Sequence, residues 1–287
     1  MSYKTVLVHI DESARTAERI GMAAGIVRIE GGHLIGVALT GVSRFLYQGA
    51  AAGDPDPNLE LHLGFLRERA SRALTGFDAQ AAALGVSSFE QRVVDDEAGG
   101  GVSLLARYAD LVVIGQINTE QPSKSVMADF PAYVVIHCGR PVLIVPYAGT
   151  VPAVTAPRHI LLCWNASKEA SRAVSAAIPL LKRAGSVHIA VFDAEESSAA
   201  HGAEPGADIA RYLERHGVGS TITVCRSDHL LGRPGDIGKA LLAHAAGLGC
   251  DLVVMGAYGH SRFRETILGG VTRTVLREMT IPVLMAH

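Results

Sequence analysis

DLVVIG at residues 110–115 returns almost unchanged as DLVVMG at residues 251–256, and this repetition decides how the chain folds. RPVLIVP at 140–146 returns as IPVLMAH at 281–287, at the same spacing of 141 residues. Each pair consists of apolar, strand-like runs, and the runs keep their order along the chain. Similarity at a fixed spacing predicts a duplicated domain.

The beginnings of the two copies also correspond. TVLVHIDES at 5–13 matches HILLCWNAS at 159–167 with a spacing of 154 residues, and the same spacing places Val37 opposite Val191. Because the spacing is smaller at the end of the copies, the first copy carries an insertion, expected in the Gly-, Ala-, Asp- and Pro-rich stretch 41–58. The predicted organisation is an N-terminal domain, a linker and a C-terminal domain, at 1–147, 148–157 and 158–287.

Short apolar runs alternate with longer helical stretches in both copies. Runs such as LVVMG and ILLCW are apolar on consecutive residues, which is typical of parallel strands covered on both faces. In the second copy, strands are expected near 159–164, 187–193, 220–226, 252–256 and 282–286. Helices are expected near 167–183, 204–216, 234–247 and 269–279, and a covering helix of the first copy at 61–85. The predicted fold class is α/β, with two tandem doubly wound, mostly parallel five-stranded sheets of the Rossmann-like kind.

An unusual set of glycines follows the fourth strand of the second copy, where doubly wound sheets bind their ligands. The sequence GAYGHSRFRETILGGVTRTVL contains Gly256, Gly259, Gly269 and Gly270. Because glycine has no Cβ, main-chain N–H groups can converge on a ligand there. The second glycine pair stands where a helix begins, and a helix start favours an anion. The pattern predicts a phosphate cradle, to which Thr272 could add a hydroxyl donor.

The first copy provides an internal control for this pattern. Gly115 ends the corresponding strand, but Asn118 stands in the place of Gly259 and no later glycine pair follows. Since the first copy keeps its strands, the fold is expected not to need these glycines, and this favours a ligand role. The alternative is that the glycines form simple turns beside a strand and a helix.

The tandem copies and the G-x2-G-x9-G spacing before a Val-Thr helix start resemble a tandem universal stress protein, over nearly the whole chain. The resemblance implies adenine nucleotide alpha hydrolase-like domains, whose last strands pair the two copies as an intramolecular pseudo-dimer. It also implies binding of ATP or AMP, with or without Mg²⁺, by a stress-response regulatory protein. A further protein partner or a homodimer is compatible with it.

Carried over position by position, the resemblance assigns the phosphates and ribose to the glycine loop and the adenine to a main-chain group at Val191. The loop after the third strand brings Gly232 and Pro234 to the pocket rim. The first-strand position, an Asp in the family, is Asn165 in the second copy, whereas the first copy has Asp11 there but lacks the glycines. The candidate binding residues are Asn165, Val191, Gly232, Pro234, Met255, Gly256, Gly259, His260, Gly269, Gly270, Val271 and Thr272.

The two copies depart from the family pattern in opposite respects, which predicts one nucleotide site, in the second half. The first half is then a structural or partner-binding copy. Gly270 stands where the family usually has Ser or Thr, and the lost hydroxyl contact weakens binding of a triphosphate. Trp164 can stack on a base or simply pack. Charged residues that could reach phosphates or remain solvated are Arg233, His260, Arg262 and Arg264.

Three functions remain open from the sequence: nucleotide-dependent regulation, slow ATP hydrolysis, and a ligand-free interaction module. Hydrolysis needs an oriented water and a metal ion held partly by a carboxylate. Asn165 removes the best-placed carboxylate, and Asp193, Asp236 and Glu265 have no compelling geometry. Enzyme activity is therefore uncertain, and efficient turnover is not expected.

Composition excludes several other classes. With 26 Lys and Arg against 28 Asp and Glu, there is no basic excess to hold a nucleic acid. The mean hydropathy is +0.25, but prolines interrupt the longest uncharged stretch, at 141–157, and a membrane span needs about 20 apolar residues. The four cysteines are scattered, which favours reduced thiols in the cytoplasm. No metal-ligand spacing such as HExxH occurs, so no metal site is predicted.

Overall fold

The structure is a computed structural model of the 287-residue chain. It describes residues 2–45, 57–118, 120–121, 126–149, 151, 157–197, 203–226, 236–259 and 270–287. The chain divides into two compact units, Ser2–Tyr147 and Ala148–His287, called here the N-terminal unit and the C-terminal unit. Most of the insertion predicted at 41–58 lies outside the described residues.

The N-terminal unit alternates strands with helices around one parallel sheet. Its strands are β1 (Thr5–His9), β2 (His33–Leu39), β3 (Phe89–Val94), β4 (Leu111–Gly115) and β5 (Val142–Val145). Its helices are α1 (Thr16–Glu30), α2 (Pro57–Ala73), α3 (Phe77–Ala83), α4 (Ala98–Leu105) and α5 (Phe130–His137), with a 3-10 turn at Ala106–Tyr108. The strand order is β3-β2-β1-β4-β5, so the winding direction reverses beside β1.

The C-terminal unit repeats this arrangement. Its strands are β6 (His159–Cys163), β7 (Ser186–Phe192), β8 (Thr221–Cys225), β9 (Leu252–Gly256) and β10 (Val283–Ala286). Its helices are α6 (Lys168–Leu181), α7 (Ala207–Arg215), α8 (Ile237–Gly247) and α9 (Val271–Glu278), with a 3-10 turn at Ala194–Ser197. The parallel order β8-β7-β6-β9-β10 matches that of the first unit, so the prediction of a duplicated, doubly wound α/β fold is confirmed.

The central strands of both sheets are buried on consecutive residues. Val112 and Val113 on β4, and Val253 and Val254 on β9, are 0% exposed. Such burial requires apolar side chains on both faces of a strand, and this explains the unbroken apolar runs in the sequence. The edge strand β8 differs, because Val224, its second-last residue, is 52% exposed. Because β6 and β9 are parallel neighbours in the interior of this sheet, their carboxyl ends lie side by side there.

The covering helix predicted at 61–85 is two helices, α2 and α3. Gly76 separates them with φ of +86°, a left-handed conformation that residues with a Cβ rarely adopt. The apolar spacing continues across this break, which is why the sequence suggested a single helix. Among the helices in the described ranges, none combines the length and the hydropathy needed to cross a membrane.

The register of the second strand corrects the repeat alignment by one residue. In the N-terminal unit the N–H of Ile10 donates to the carbonyl of Val37 at 2.8 Å. In the C-terminal unit the N–H of Trp164 donates to the carbonyl of Ala190 at 2.9 Å. Ala190, and not Val191, is therefore the counterpart of Val37. The apolar side chains of β2 and β7 can be aligned in the sequence with a spacing of either 153 or 154 residues. The hydrogen bonds between the strands select 153.

Candidate functional site

The turn between β6 and α6 forms the first side of the candidate site. The Ser167 side chain caps α6 and accepts the N–H of Ala170 at 3.1 Å. The Oδ1 atom of Asn165 accepts the Ser167 hydroxyl at 2.7 Å and the Ser167 N–H at 3.2 Å. The oxygen of Asn165 is therefore engaged in the turn, and its amide NH₂ group is the part that can donate to a ligand.

Gly256 ends β9 directly against the first turn of α6. A Cβ placed on Gly256 would lie 2.4 Å from the main-chain nitrogen of Ala170 and 2.7 Å from the carbonyl carbon of Glu169. These neighbours are backbone atoms and cannot move aside as a side chain can. The prediction that the fold does not need the glycines is therefore wrong for Gly256, because the close approach of helix and strand requires it.

The Gly256→Ala substitution is expected to lower the free energy of unfolding of the C-terminal unit by about 1–3 kcal/mol, since the added methyl group forces α6 away from β9. Trp164 is the single tryptophan of the chain, so urea unfolding followed by its fluorescence reports on this unit. Gly219→Ala is the matched control, because no atom lies within 4 Å of a Cβ placed there. Equal stability of the two variants would contradict the steric role.

Gly259 lies three residues further on and is exposed to solvent. A Cβ built on it would lie 2.6 Å from Oε2 of Glu169 and 3.3 Å from the hydroxyl oxygen of Ser167. Gly259 thus brings the loop after β9 against the capped start of α6. In contrast to Gly256, it approaches side-chain ends and not backbone, so packing alone does not require a glycine here.

Glu169 is a site residue that the sequence reading missed. Its side chain is 2% exposed although it belongs to the first turn of α6. It lies on the same helical face as the buried Ala173 and Ala177, at spacings of four and eight residues. A carboxylate on the apolar face of an amphipathic helix is the signal that could have identified it.

The start of α9 forms the opposite side of the site. Gly270 precedes the helix, and Thr272 in its first turn is 2% exposed. The hydroxyl oxygen of Thr272 accepts the N–H of Tyr258 at 3.3 Å, which ties the loop after β9 to α9. Accepting this N–H leaves the Thr272 hydroxyl its own proton, so its predicted donation to a phosphate stays a prediction.

Asp236, one of the carboxylates considered for hydrolysis, has a structural role. It caps α8 and accepts the N–H groups of Gly238 at 3.0 Å and Lys239 at 3.3 Å. Its other oxygen accepts the hydroxyl of Thr274 on α9 at 3.1 Å. Asp236 therefore joins two helices. Among the described residues, no group of three His, Cys, Asp or Glu side chains is suited to a metal ion.

The structure brings part of the predicted set to one edge of the C-terminal sheet. Asn165, Gly256, Gly259 and the Gly270–Thr272 segment border the same strand ends. Met255 and Val191 are 5% and 0% exposed inside β9 and β7, so their side chains belong to the core. The half-buried Trp164 adjoins Asn165. The predicted residues outside the described ranges are Gly232, Arg233, Pro234, His260, Arg262, Arg264, Glu265 and Gly269.

The corresponding edge of the N-terminal unit is occupied by its own side chains. The Asp11 and Ser13 turn repeats that of Asn165, with the Ser13 hydroxyl donating to Asp11 Oδ1 at 2.6 Å. The same oxygen is 2.6 Å from Nη2 of Arg19, which also donates to the Ser13 and Thr16 hydroxyls. Arg19 is 1% exposed, and Ala173 stands at its place in the second copy.

Electrostatics explain how Asp11 stays ionised in this setting. Burial acts to raise the pKa of the Asp11 carboxyl, but Arg19, His9 and the hydrogen bonds from Ser13 and Arg19 outweigh it. The pKa of Asp11 is therefore held well below its usual range. The counter-ion of the Asp11 carboxylate is thus Arg19, a residue of the same unit.

A cavity of about 420 Å³ opens beside this turn in the N-terminal unit, between the start of α1 and the α2–α3 connection. The charged residues in its lining are Asp11, Glu12 and Arg72. The guanidinium of Arg72 already donates to Glu68 at 2.7 Å. A phosphate there would meet more negative than positive charge, which is unlike an anion site.

The observed fold and strand-end geometry define a duplicated α/β protein of the doubly wound class. The model of the universal stress protein family matches residues 2–146 and 157–287. The chain therefore belongs to the universal stress protein family.

Solved structures share this fold, and a curated relative matches a short segment of the chain. A universal stress protein from Archaeoglobus fulgidus superposes with a TM-score of 0.71 at 15% identity, over 100% of this chain and 99% of that one. A functionally unknown protein from Pseudomonas aeruginosa gives a TM-score of 0.57 at 14% identity, over 99% and 92%. At these identities the likeness concerns the fold. A curated universal stress protein from Synechocystis, Slr1230, is 44% identical over 46 residues, which is 16% of either chain.

Proposed function

We propose that the C-terminal unit binds an adenine nucleotide, ATP or AMP, and that the protein acts as a stress-response regulator through occupancy of this site. Membership of the universal stress protein family supports the regulatory part. The observation that carries the binding part is the exposed Gly259, set against the start of α6 and linked through Tyr258 to the start of α9.

Two helix starts contribute donors to this edge. The first turn of α6 uses one N–H, that of Ala170, for the Ser167 cap. The first turn of α9 follows Gly270, which has no side chain to cap the N–H groups of Val271 and Thr272. Unpaired N–H groups and the positive ends of two helix dipoles favour an anion between them. A phosphate group is the anion that an adenylate supplies.

The proposal includes one site for each chain, because the N-terminal edge is filled by the Asp11–Arg19 pair. Equilibrium dialysis with labelled AMP or ATP is expected to give one equivalent bound. Two equivalents would contradict the assignment. Any Mg²⁺ would arrive with the phosphates, since the described residues offer no three-ligand cluster.

The Gly259→Ala variant tests the site directly. The added methyl group occupies the space beside Glu169 and Ser167, and we expect adenylate affinity to fall about tenfold or more while the melting temperature without ligand is unchanged. For the wild type, ligand at 100 times Kd should add about 2.7 kcal/mol of stability, measurable by thermal shift. Gly219→Ala, at the opposite end of the sheet, should respond as the wild type does. An unaltered ligand response in Gly259→Ala would place the site elsewhere.

The two alternatives from the sequence have less support. Slow ATP hydrolysis needs a metal ion held partly by a carboxylate, but Asp236 is committed to capping α8, Asn165 is uncharged, and the described residues offer no three-ligand cluster. A ligand-free interaction module would leave the open edge beside Gly259 without a role. Chromatography of nucleotide released from the purified protein separates this module from a nucleotide-binding regulator.

A further inference from the structure

Glu169 holds a buried carboxylate whose charge is only partly compensated. Its side chain is 2% exposed, and Oε1 lies 3.4 Å from Nζ of Lys168. The Lys168 side chain is 73% exposed, so most of its charge is solvated. Oε2 is buried and has no hydrogen-bond partner among the described residues. A buried carboxylate oxygen without a donor is unfavourable, and such a group usually has a functional reason.

The free oxygen is directed at the candidate site. A Cβ on Gly259 would lie 2.6 Å from Oε2, so this atom borders the loop proposed to hold phosphate. At the 154-residue spacing, the first copy has Arg15 in the place of Glu169. The two copies thus carry opposite charges at matching positions of the repeat, Arg15 directly before α1 and Glu169 in the first turn of α6. The negative charge is found in the copy that has the glycines.

A carboxylate in this place acts against the helix starts. Phosphate oxygens have no proton to donate at neutral pH, and each added phosphate brings more negative charge toward Oε2. Repulsion between like charges is stronger in a partly buried site than in water. A nucleoside or a monophosphate, which carries less charge, meets less of this repulsion.

From these observations the structure assigns Glu169 as a specificity-determining residue, which ranks adenine ligands by phosphate charge. Among the phosphate-bearing ligands, AMP binds better than ADP, and ADP binds better than ATP. This inference rests on the proposed function, since it concerns the same site.

The test is isothermal titration of the full chain with adenosine, AMP, ADP and ATP in EDTA, for the wild type and Glu169→Gln. The wild type is expected to bind ATP about tenfold or more weakly than AMP. Glu169→Gln keeps the shape and removes the charge, so ATP affinity should rise about tenfold or more while adenosine affinity changes less than about threefold. Glu278→Gln removes the same charge at the far end of α9 and should leave the ranking unchanged.

Two results would overturn the inference while leaving nucleotide binding intact. One is equal affinity of the wild type for AMP and ATP. The other is a Glu169→Gln variant in which all four affinities change by the same factor. If neither protein binds any of the four ligands although both melt as expected, the proposed function fails and the ranking with it. If Glu169→Gln does not fold, Glu169→Met, which also removes the charge and suits a buried helix face, takes its place in the same titrations.

Discussion

Replacing Asp11 by Ala is expected to lower the free energy of unfolding of the N-terminal unit by about 3–5 kcal/mol. The Arg19 side chain is 2% exposed, and its Nη2 lies 2.6 Å from Asp11 Oδ1. Without the carboxylate, a buried guanidinium keeps its charge and loses its counter-ion. The Ser13 and Thr16 hydroxyls that also accept from Arg19 cannot replace a full charge.

Hydrogen exchange of peptides from the N-terminal unit, read by mass spectrometry in the full chain, measures this loss. The internal repeat supplies the control: Asn165→Ala, followed in peptides of the C-terminal unit, removes the same turn acceptor where no arginine of the described residues faces it, and should cost about 0.5–1.5 kcal/mol. Asp11→Ala combined with Arg19→Met should recover most of the stability, because both charges are then absent. If Asp11→Ala costs no more than Asn165→Ala, the ion pair does not stabilise the unit.

The second large effect is a loss of stability between about pH 6.5 and 4, which originates at His9. This side chain is 2% exposed at the end of β1, and its ring lies 4.9 Å from that of Phe130. Burial lowers the pKa of His9 from 6.5 to about 4; Asp11 opposes this shift and Arg19 adds to it. The unfolded chain therefore takes up a proton near pH 6.5 while the folded chain does not. Each pH unit of acidification in this range therefore lowers the free energy of unfolding, by about 3 kcal/mol in total.

Hydrogen exchange at several pH values, corrected for intrinsic exchange rates, checks this slope in the N-terminal unit. His9→Leu should abolish it, whereas His62→Gln, which alters an exposed histidine, should preserve it. Asp11 contributes separately: because its folded pKa is depressed, its stabilisation is complete above the unfolded value near 3.8 and is lost only in more acidic solution. A slope that survives in His9→Leu between pH 6.5 and 4 would show that another group titrates.

The duplicated fold could be predicted because it rests on patterns within short segments. Runs such as LVVMG and their repetition identify the strands, and the alternation with helices restricts their arrangement. Gly76 shows the limit of such patterns, since the helical spacing of apolar residues continues across a glycine whose left-handed conformation ends the helix. The one-residue shift at Ala190 shows another, because ladder hydrogen bonds and not side-chain similarity set the register.

The candidate site was only partly accessible from sequence for a related reason. The role of Gly256 depends on the distance between β9 and the backbone of α6, which are far apart in the chain. The buried Arg19 and Glu169 depend likewise on which helix face meets the sheet. Sequence spacing identifies residues able to form a site, whereas the contacts between distant segments determine which of them do so.

The arginine that reaches back into its own β1–α1 turn suggests how duplicated proteins can divide labour. An internal cation at the strand end supplies the stabilisation that a guest molecule would otherwise provide. A domain with this device can remain folded at any metabolite level, whereas its neighbour can respond to supply. If the C-terminal unit binds an adenylate as proposed, one half of the polypeptide is a permanent platform and the state of the other half follows the adenylate concentration.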